Sequence, residues 1–124
     1  MNKIVLSSLN HTWILDLDGT IVKHNGYKLD GEDLLLPGIE KFLEQIPIDD
    51  MIIYLTSRSD EYKLTTEEFL KKNNIRYNYI IYNVPYGERI VVNDNKPSGL
   101  EMARRITTER DVALDLKIEI NPFL

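Results

Sequence analysis

The order of hydrophobic and polar positions along the chain predicts strands separated by helices. Apolar runs at 12–16 (Thr-Trp-Ile-Leu-Asp) and 51–56 (Met-Ile-Ile-Tyr-Leu-Thr) are typical of buried strands. Residues 77–82 predict a third strand, and residues 90–92 predict a short fourth one. Apolar and polar residues alternate over 112–120, which predicts a last strand with one face in water.

Three helices are predicted between these strands. The first covers 37–46, where a Pro-Gly pair opens the helix and the next proline ends it. The second covers about 60–73, and a serine or aspartate can cap its start. The third opens on a proline and covers about 97–107, with Leu100 and Ile106 facing inward.

Strands that alternate with helices predict a single α/β domain over 1–124, with a doubly wound, mostly parallel, Rossmann-like sheet. The glycine-rich, polar segment 21–36 is interpreted as a flap or hairpin. Ligands bind such sheets at the carboxyl ends of the strands. Asp16, Thr56 and Asp94 each follow or end a predicted strand, so we expect them to converge on one edge of the sheet.

Two aspartates follow the first strand with one residue between them, in the sequence Asp16-Leu17-Asp18-Gly19-Thr20. Gly19 permits close backbone approach, and backbone N–H groups in such a turn can bind an anion. A divalent cation relieves the repulsion between two nearby carboxylates, and one carboxylate can then act as nucleophile while the other transfers a proton. A plain surface turn is the alternative, although a chance match to this pattern is on the order of one in a thousand.

A hydroxyl pair and an arginine follow the second strand, as Thr56-Ser57-Arg58. A hydroxyl at a strand end, with the backbone N–H groups after it, can hydrogen-bond a phosphoryl oxygen. The alternative is an ordinary helix cap.

An aspartate follows the short fourth strand, in Asn93-Asp94-Asn95-Lys96. A carboxylate there can complete an oxygen-rich site for Mg²⁺, and the alternative is a turn before the next helix. Lys96 and Arg89 are candidate counter-charges.

These motifs, in this order, resemble the haloacid dehalogenase-like (HAD) phosphatase superfamily over about residues 12–107. The resemblance implies that Asp16 is the nucleophile that forms an aspartyl-phosphate and that Asp18 is general acid and then general base. It also implies that Thr56 binds the transferring phosphoryl group. Asp94 would hold Mg²⁺ together with the Asp16 carboxylate and the Asp18 backbone carbonyl.

The chain departs from this pattern in two places. Many relatives carry two acids where this chain has Asn93 before Asp94, so one acidic contact to the metal shell is expected to be lost. The superfamily also expects a cation between the third and fourth strands, a role that we assign to Arg89 with Lys96 as the alternative.

The gaps between the motifs are too short for a cap domain, so the chain resembles the small, capless type. An open site suits a large substrate, or a substrate that a second subunit of a homo-oligomer closes over. His24 in the flap is a candidate contact to the leaving group, and a plain exposed loop residue is its alternative. The other residues that we expect to bind substrate are Gly19, Thr20, Ser57, Arg58 and Lys96.

Composition and charge limit the classes of substrate and binding site that we expect for this chain. Fifteen basic and twenty acidic residues give a formal charge of −5, which disfavours nucleic acid and favours a sugar phosphate or nucleotide as substrate. The absence of cysteine excludes disulfides and thiolate zinc sites. Residues 1–8 lack the apolar run of a signal peptide and no stretch is long enough to span a membrane, so we expect a cytoplasmic protein.

Other functions fit parts of the pattern. A polynucleotide or other large-substrate phosphatase and a phosphotransferase would use the same site. A receiver-like phospho-acceptor would need an acid after the third strand, where this chain has Tyr82-Asn83. A catalytically impaired binding module is supported by Asn93 alone.

Overall fold

The computed structural model describes residues 2–124 and contains short strands and helices in alternation. Apolar residues at helical spacing, Ile39, Phe42 and Leu43, bury one side of the helix after Gly38. In chain order the elements are β1 (Asn2–Leu6), β2 (Thr12–Asp16), α1 (Gly26–Leu29), α2 (Ile39–Glu44), β3 (Met51–Leu55), a 3₁₀ turn (Asp60–Tyr62), α3 (Lys63–Lys72), β4 (Tyr79–Ile81) and β5 (Leu116–Ile120).

The strands form two parallel sheets. β2, β3 and β4 lie side by side in that order, and β1 pairs separately with β5. Asp16 lies opposite Leu55, and Leu55 lies opposite Ile81, so the carboxyl ends of the three strands meet at one edge. The prediction of an α/β protein with parallel strands is confirmed, although the strands form two sheets where one was expected.

The three strands predicted for the sheet next to the first motif are present at 12–16, 51–55 and 79–81. β1 was not predicted, since its apolar part is only the run Ile4-Val5-Leu6. Its pairing partner β5 begins at Leu116, four residues later than the predicted strand over 112–120.

Two predicted elements are wrong. Residues 90–92 form no strand, and residues 97–107 form no helix. Gly99 has φ +95°, a left-handed conformation that interrupts a helix begun at Pro97, and its N–H closes a tight turn on the Lys96 carbonyl. A helix of this length needs tertiary packing for its stability, but Ile106 is exposed.

The flap segment 21–36 contains the short helix α1, and Val22 near its start forms two backbone bridges. One bridge joins Val22 to Asp18 outside the segment, and the other joins it to Leu35 near the end of the segment. Ile21 and Val22 are fully buried, so the start of this segment belongs to the core.

The core lies between the β2–β4 sheet and its helices. Leu17, Ile52, Tyr54 and Leu70 are completely buried there. The rings of Trp13 and Phe42 pack edge to face with centroids 5.9 Å apart. Ile4 and Leu116 join the same cluster, so the small β1–β5 sheet packs on this core as well. Within residues 2–124, none of the helices is long and apolar enough to cross a membrane.

Candidate active site

The side chain of Asp16 lies at the carboxyl end of β2 and faces a cavity. Its Oδ2 accepts a hydrogen bond from Thr20 Oγ1 at 2.9 Å, and its Oδ1 accepts one from Arg89 Nη1 at 3.1 Å. The Asp16 side chain is still 37% exposed. The carboxylate is therefore fixed in orientation and open to a ligand from the cavity.

A tight turn carries the chain from Asp16 to Asp18 and back. The Leu17 carbonyl accepts hydrogen bonds from the N–H groups of Ile21 and Val22, and the Gly19 N–H donates to the Val22 carbonyl at 2.7 Å. Gly19 has φ +86°, and a Cβ there would lie 3.1 Å from Arg110 Cγ. This geometry explains the glycine, because another residue would be strained and crowded.

Asp18 faces the same cavity, with both carboxylate oxygens engaged by donors. Thr56 Oγ1 donates to Oδ2 at 2.6 Å. Arg58 donates to Oδ1 from Nε at 3.0 Å, and its Nη2 lies 2.9 Å from the same oxygen. The Asp18 side chain is 15% exposed, so the two aspartates of the first motif share one cavity but differ in their surroundings.

Thr56 does not line this cavity. It is completely buried, and its hydroxyl donates to Asp18 while accepting from the Arg58 N–H at 3.1 Å. Ser57 does line the cavity, and its hydroxyl donates to the Val84 carbonyl at 2.7 Å. The hydroxyls after β3 are thus already engaged within the protein.

Arg58, which was predicted to bind substrate, lines the cavity, and its guanidinium makes several hydrogen bonds within the protein. The side chain is 2% exposed and forms a two-point ion pair with Asp33, at 2.7 Å and 2.9 Å. Nη1 also donates to Thr66 Oγ1 at 2.8 Å, and the guanidinium lies 3.9 Å from the centroid of the Tyr27 ring. Burial lowers the pKa of Arg58, but Asp33 and Asp18 outweigh burial and raise the pKa above its ordinary value.

Asp33 is a site residue that sequence reasoning missed. It is 6% exposed in its side chain although it follows a polar stretch, Asp30-Gly31-Glu32, that is exposed. The only signal in the sequence is the apolar run that begins directly after it, and this run does not identify its partner.

The cavity has a volume of about 650 Å³ and combines charged and aromatic side chains. Four cationic residues, Lys28, Arg58, Arg89 and Arg110, line it together with Asp16 and Asp18. The aromatic residues that line it are Tyr27, Tyr62 and Tyr86.

Of the two cations considered for the phosphate-binding role, Arg89 reaches the cavity and contacts Asp16. Lys96 and Asp94 are exposed and lie outside the cavity lining. The Asn93 side-chain amide donates to the Asp94 carbonyl at 2.9 Å. The expected convergence of Asp94 with Asp16 and Thr56 at one sheet edge is therefore wrong, because residues 90–92 do not join the sheet.

His24, the flap residue predicted as a contact to the leaving group, lies in the cavity lining. Its backbone N–H donates to Asp111 Oδ1 at 2.7 Å, which fixes this part of the flap. Asp111 also binds through its backbone N–H to the Gly19 carbonyl at 2.8 Å. The chain near 111 thus joins the flap to the turn that carries Asp18.

The oxygen donors of the cavity fit Mg²⁺ in part. Across residues 2–124, no group of three or more His, Cys, Asp or Glu side chains is arranged to hold a metal ion. Mg²⁺ nevertheless keeps several waters and is commonly held by one or two carboxylates plus the phosphate of a substrate. The exposed Asp16 carboxylate can supply one such protein ligand.

A comparison of the chain with protein-family models, with curated proteins and with solved structures found no match.

Proposed function

We propose that this chain is a magnesium-dependent phosphomonoester hydrolase of the HAD-like, capless type, with an aspartyl-phosphate intermediate on Asp16. One observation carries the proposal: an exposed carboxylate at a strand end, oriented by Thr20 and Arg89, shares a polar cavity with a second carboxylate, Asp18. This arrangement matches the roles that the Asp16–Thr20 motif implies.

Asp16 supplies the nucleophile. One carboxylate oxygen attacks phosphorus, the new O–P bond forms, and the P–O bond to the leaving group breaks. The hydrogen bonds from Thr20 and Arg89 limit rotation of the carboxylate, which favours an attack-ready orientation. Arg89 lines the same cavity and contacts Asp16, so it is our candidate to bind the equatorial oxygens of the phosphoryl group as charge develops on them.

Asp18 handles the proton. In the first step it gives a proton to the leaving oxygen, and in the second it takes a proton from water as that water displaces Asp16 from phosphorus. The hydrogen bonds that Asp18 accepts from Thr56 and Arg58 favour its carboxylate form, which is the form that acts as base in the second step. The acid role requires Asp18 to take up a proton before the leaving group departs.

Mg²⁺, when bound, would neutralise phosphate charge and align phosphorus with the nucleophile. Asp16 would hold it from the protein side, with the Asp18 backbone carbonyl as the second donor that the resemblance implies. Asp94, the further ligand that the resemblance implies, lies outside the cavity lining and is not part of the set we propose.

The substrate we propose is a small phosphate ester, either a nucleotide or a sugar phosphate. A cavity of about 650 Å³ falls in the range of small-ligand sites. The rings of Tyr27, Tyr62 and Tyr86 favour a nucleotide, because aromatic side chains can stack on a base. The exposed cations Lys28 and Arg110 suit the anionic part of either substrate.

The first experiment measures phosphate release from p-nitrophenyl phosphate by purified protein, with Mg²⁺ and after chelation. We expect release with Mg²⁺, loss of activity in EDTA, and recovery when Mg²⁺ is restored. Asp16→Asn should abolish release, whereas Asp115→Asn, an exposed residue outside the cavity, should leave it unchanged. Turnover retained by Asp16→Asn, in a preparation free of host phosphatase, would rule out Asp16 as nucleophile.

A phosphotransferase would use the same intermediate and pass the phosphoryl group to an acceptor other than water. Phosphate release measured with and without added alcohol acceptors separates the two activities. A receiver-like domain or a catalytically impaired binding module would show no multiple turnover in either condition.

A further inference from the structure

The ion pair between Arg58 and Asp33 is the most buried charged contact beside the proposed catalytic carboxylates. The two side chains are 2% and 6% exposed, and two hydrogen bonds of 2.7 Å and 2.9 Å join them. Two-point pairing fixes the plane of the guanidinium, which a single contact would leave free to turn. Thr66 Oγ1 accepts a third hydrogen bond from the same group at 2.8 Å.

The fixed guanidinium in turn holds Asp18. Arg58 Nε donates to Asp18 Oδ1 at 3.0 Å, and Nη2 lies 2.9 Å from the same oxygen while also binding Asp33. Both carboxylate oxygens of Asp33 are directed at Arg58, and Asp33 does not line the cavity. Asp33 is therefore linked to Asp18 through Arg58.

Asp33 and Arg58 lie 25 positions apart in the chain, one in the flap and the other just after β3. The Tyr27 ring, which also belongs to the flap, packs on the guanidinium at 3.9 Å from its centroid. The flap thus supplies both an anion and an aromatic face to the arginine that contacts Asp18.

We propose that Asp33 is a positioning residue, which holds the Arg58 guanidinium so that Asp18 is aimed into the cavity for proton transfer to the leaving group. This inference rests on the proposed function. It predicts that loss of Asp33 harms the protonation of the leaving oxygen more than it harms attack on phosphorus. An error of about 1 Å in the position of a reacting group can cost on the order of 100-fold in rate.

Two substrates separate these effects, because they differ in how much the leaving oxygen needs a proton. An alkyl ester such as glycerol 2-phosphate has a poor leaving group, whereas p-nitrophenyl phosphate has a good one that departs as an anion. In Asp33→Asn, we expect kcat/KM for the alkyl ester to fall roughly 10-fold to 100-fold further than kcat/KM for the aryl ester. A role in stability alone would lower both values by the same factor.

Asp30→Asn is the matched control, since Asp30 lies in the same segment but pairs with Lys23 at an exposed site. Asp30→Asn should leave the ratio of kcat/KM for the alkyl ester to kcat/KM for the aryl ester unchanged. In a double variant, Asp18→Asn should remove the extra effect of Asp33→Asn on that ratio, because the effect acts through Asp18.

The outcomes are distinct. Wild-type protein that hydrolyses neither ester with Mg²⁺ overturns the proposed function and this inference with it. Wild-type protein that hydrolyses both, combined with an unchanged ratio in Asp33→Asn, overturns only this inference. If Asp33→Asn does not fold, Thr66→Val decides instead: it removes one contact of Arg58 and should shift the ratio about 3-fold to 10-fold in the same direction. An unchanged ratio there overturns the inference.

Discussion

At the scale of single residues, Asp16 and Asp18 have surroundings suited to different tasks. Asp16 is 37% exposed and receives one hydrogen bond on each carboxylate oxygen, so it can approach a substrate. Asp18 is 15% exposed and contacts a buried guanidinium, so its carboxylate is held more firmly. The difference lies in their partners, because Asp18 contacts Thr56 and Arg58, the residues that follow β3.

Asp50 is a buried acid outside the cavity lining, so we expect it to affect stability. Its Oδ2 lies 3.0 Å from Trp13 Nε1 and 2.8 Å from His11 Nδ1, and its Oδ1 accepts from the His11 N–H. Burial raises the pKa of the Asp50 carboxyl, but these hydrogen bonds outweigh burial and hold the pKa below its ordinary value.

A lowered pKa in the folded state gives stability that is present above the unfolded pKa and is lost as pH falls through the folded pKa. We therefore expect the free energy of unfolding to decline below about pH 4. Asp50→Asn should lower it by about 1–3 kcal/mol at pH 7 and should weaken the decline at low pH. Urea unfolding at pH 7 and pH 3 measures both effects. An equally steep decline in the variant would contradict this assignment.

Asp16 and Asp18 line one cavity because of local chain geometry, since Asp16 ends β2 and Asp18 follows it after one residue. Arg89 contacts Asp16 across 73 positions, and the sequence pointed to it only as the single basic residue between the third strand and Asp94. Asp33 could not be predicted, because its importance depends on Arg58 across 25 positions. The inward direction of Arg58 and Thr56 likewise depends on tertiary packing, which residue spacing does not reveal.

At the scale of elements, Gly38 joins the flap to α2 and is constrained twice. It has φ +85°, and a Cβ there would lie only 2.8 Å from the Leu114 carbonyl oxygen. Gly31 has a similar φ of +80°, but a Cβ at this position would meet nothing within 4 Å. Substitutions at the two positions therefore distinguish the cost of backbone strain from the cost of steric contact.

We expect Gly31→Ala to cost about 1–2 kcal/mol of folding free energy, from the left-handed conformation alone. Gly38→Ala should cost more, by about 1–3 kcal/mol further, because the Leu114 backbone must also move. Thermal and urea unfolding of the two variants provide the comparison. Equal losses of folding free energy in the two variants would show that the Leu114 backbone moves aside at no cost.

The strands of the β2–β4 sheet were predictable because each is a short apolar run with turn residues beside it. The predicted strand at 90–92 has the same composition, yet Ile90 and Val92 are exposed in the structure. Apolar composition alone does not provide a pairing partner. The predicted helix over 97–107 failed for a related reason, since Gly99 turns the chain near its start and Ile106, predicted to face inward, is exposed.

At the scale of the whole molecule, the parallel β2–β4 sheet determines where the cavity lies. Its strands end together, so the side chains after β2 and β3 meet at one edge, as parallel α/β sheets commonly arrange. The flap then covers part of this edge through the Arg58–Asp33 pair. The sequence predicted the parallel α/β class and this edge, but not the division of the strands into two sheets.

The net charge of −5 is compatible with the phosphate binding that we propose, because the cations lining the cavity act locally. Lys28, Arg58, Arg89 and Arg110 lie there, while most of the twenty acidic residues lie elsewhere on the chain. Charge at the scale of the molecule and charge at the cavity therefore have different consequences for binding.

The most direct test of the central claim is to trap the phosphoryl group on the protein during turnover. The protein is mixed with a phosphate ester and Mg²⁺, quenched in acid and reduced with borohydride, which converts an aspartyl-phosphate to homoserine. Peptide mass spectrometry should then find homoserine at position 16, and only in samples that received substrate. Steady turnover with an unmodified aspartate at position 16, or with the phosphoryl group on another residue, would contradict the account.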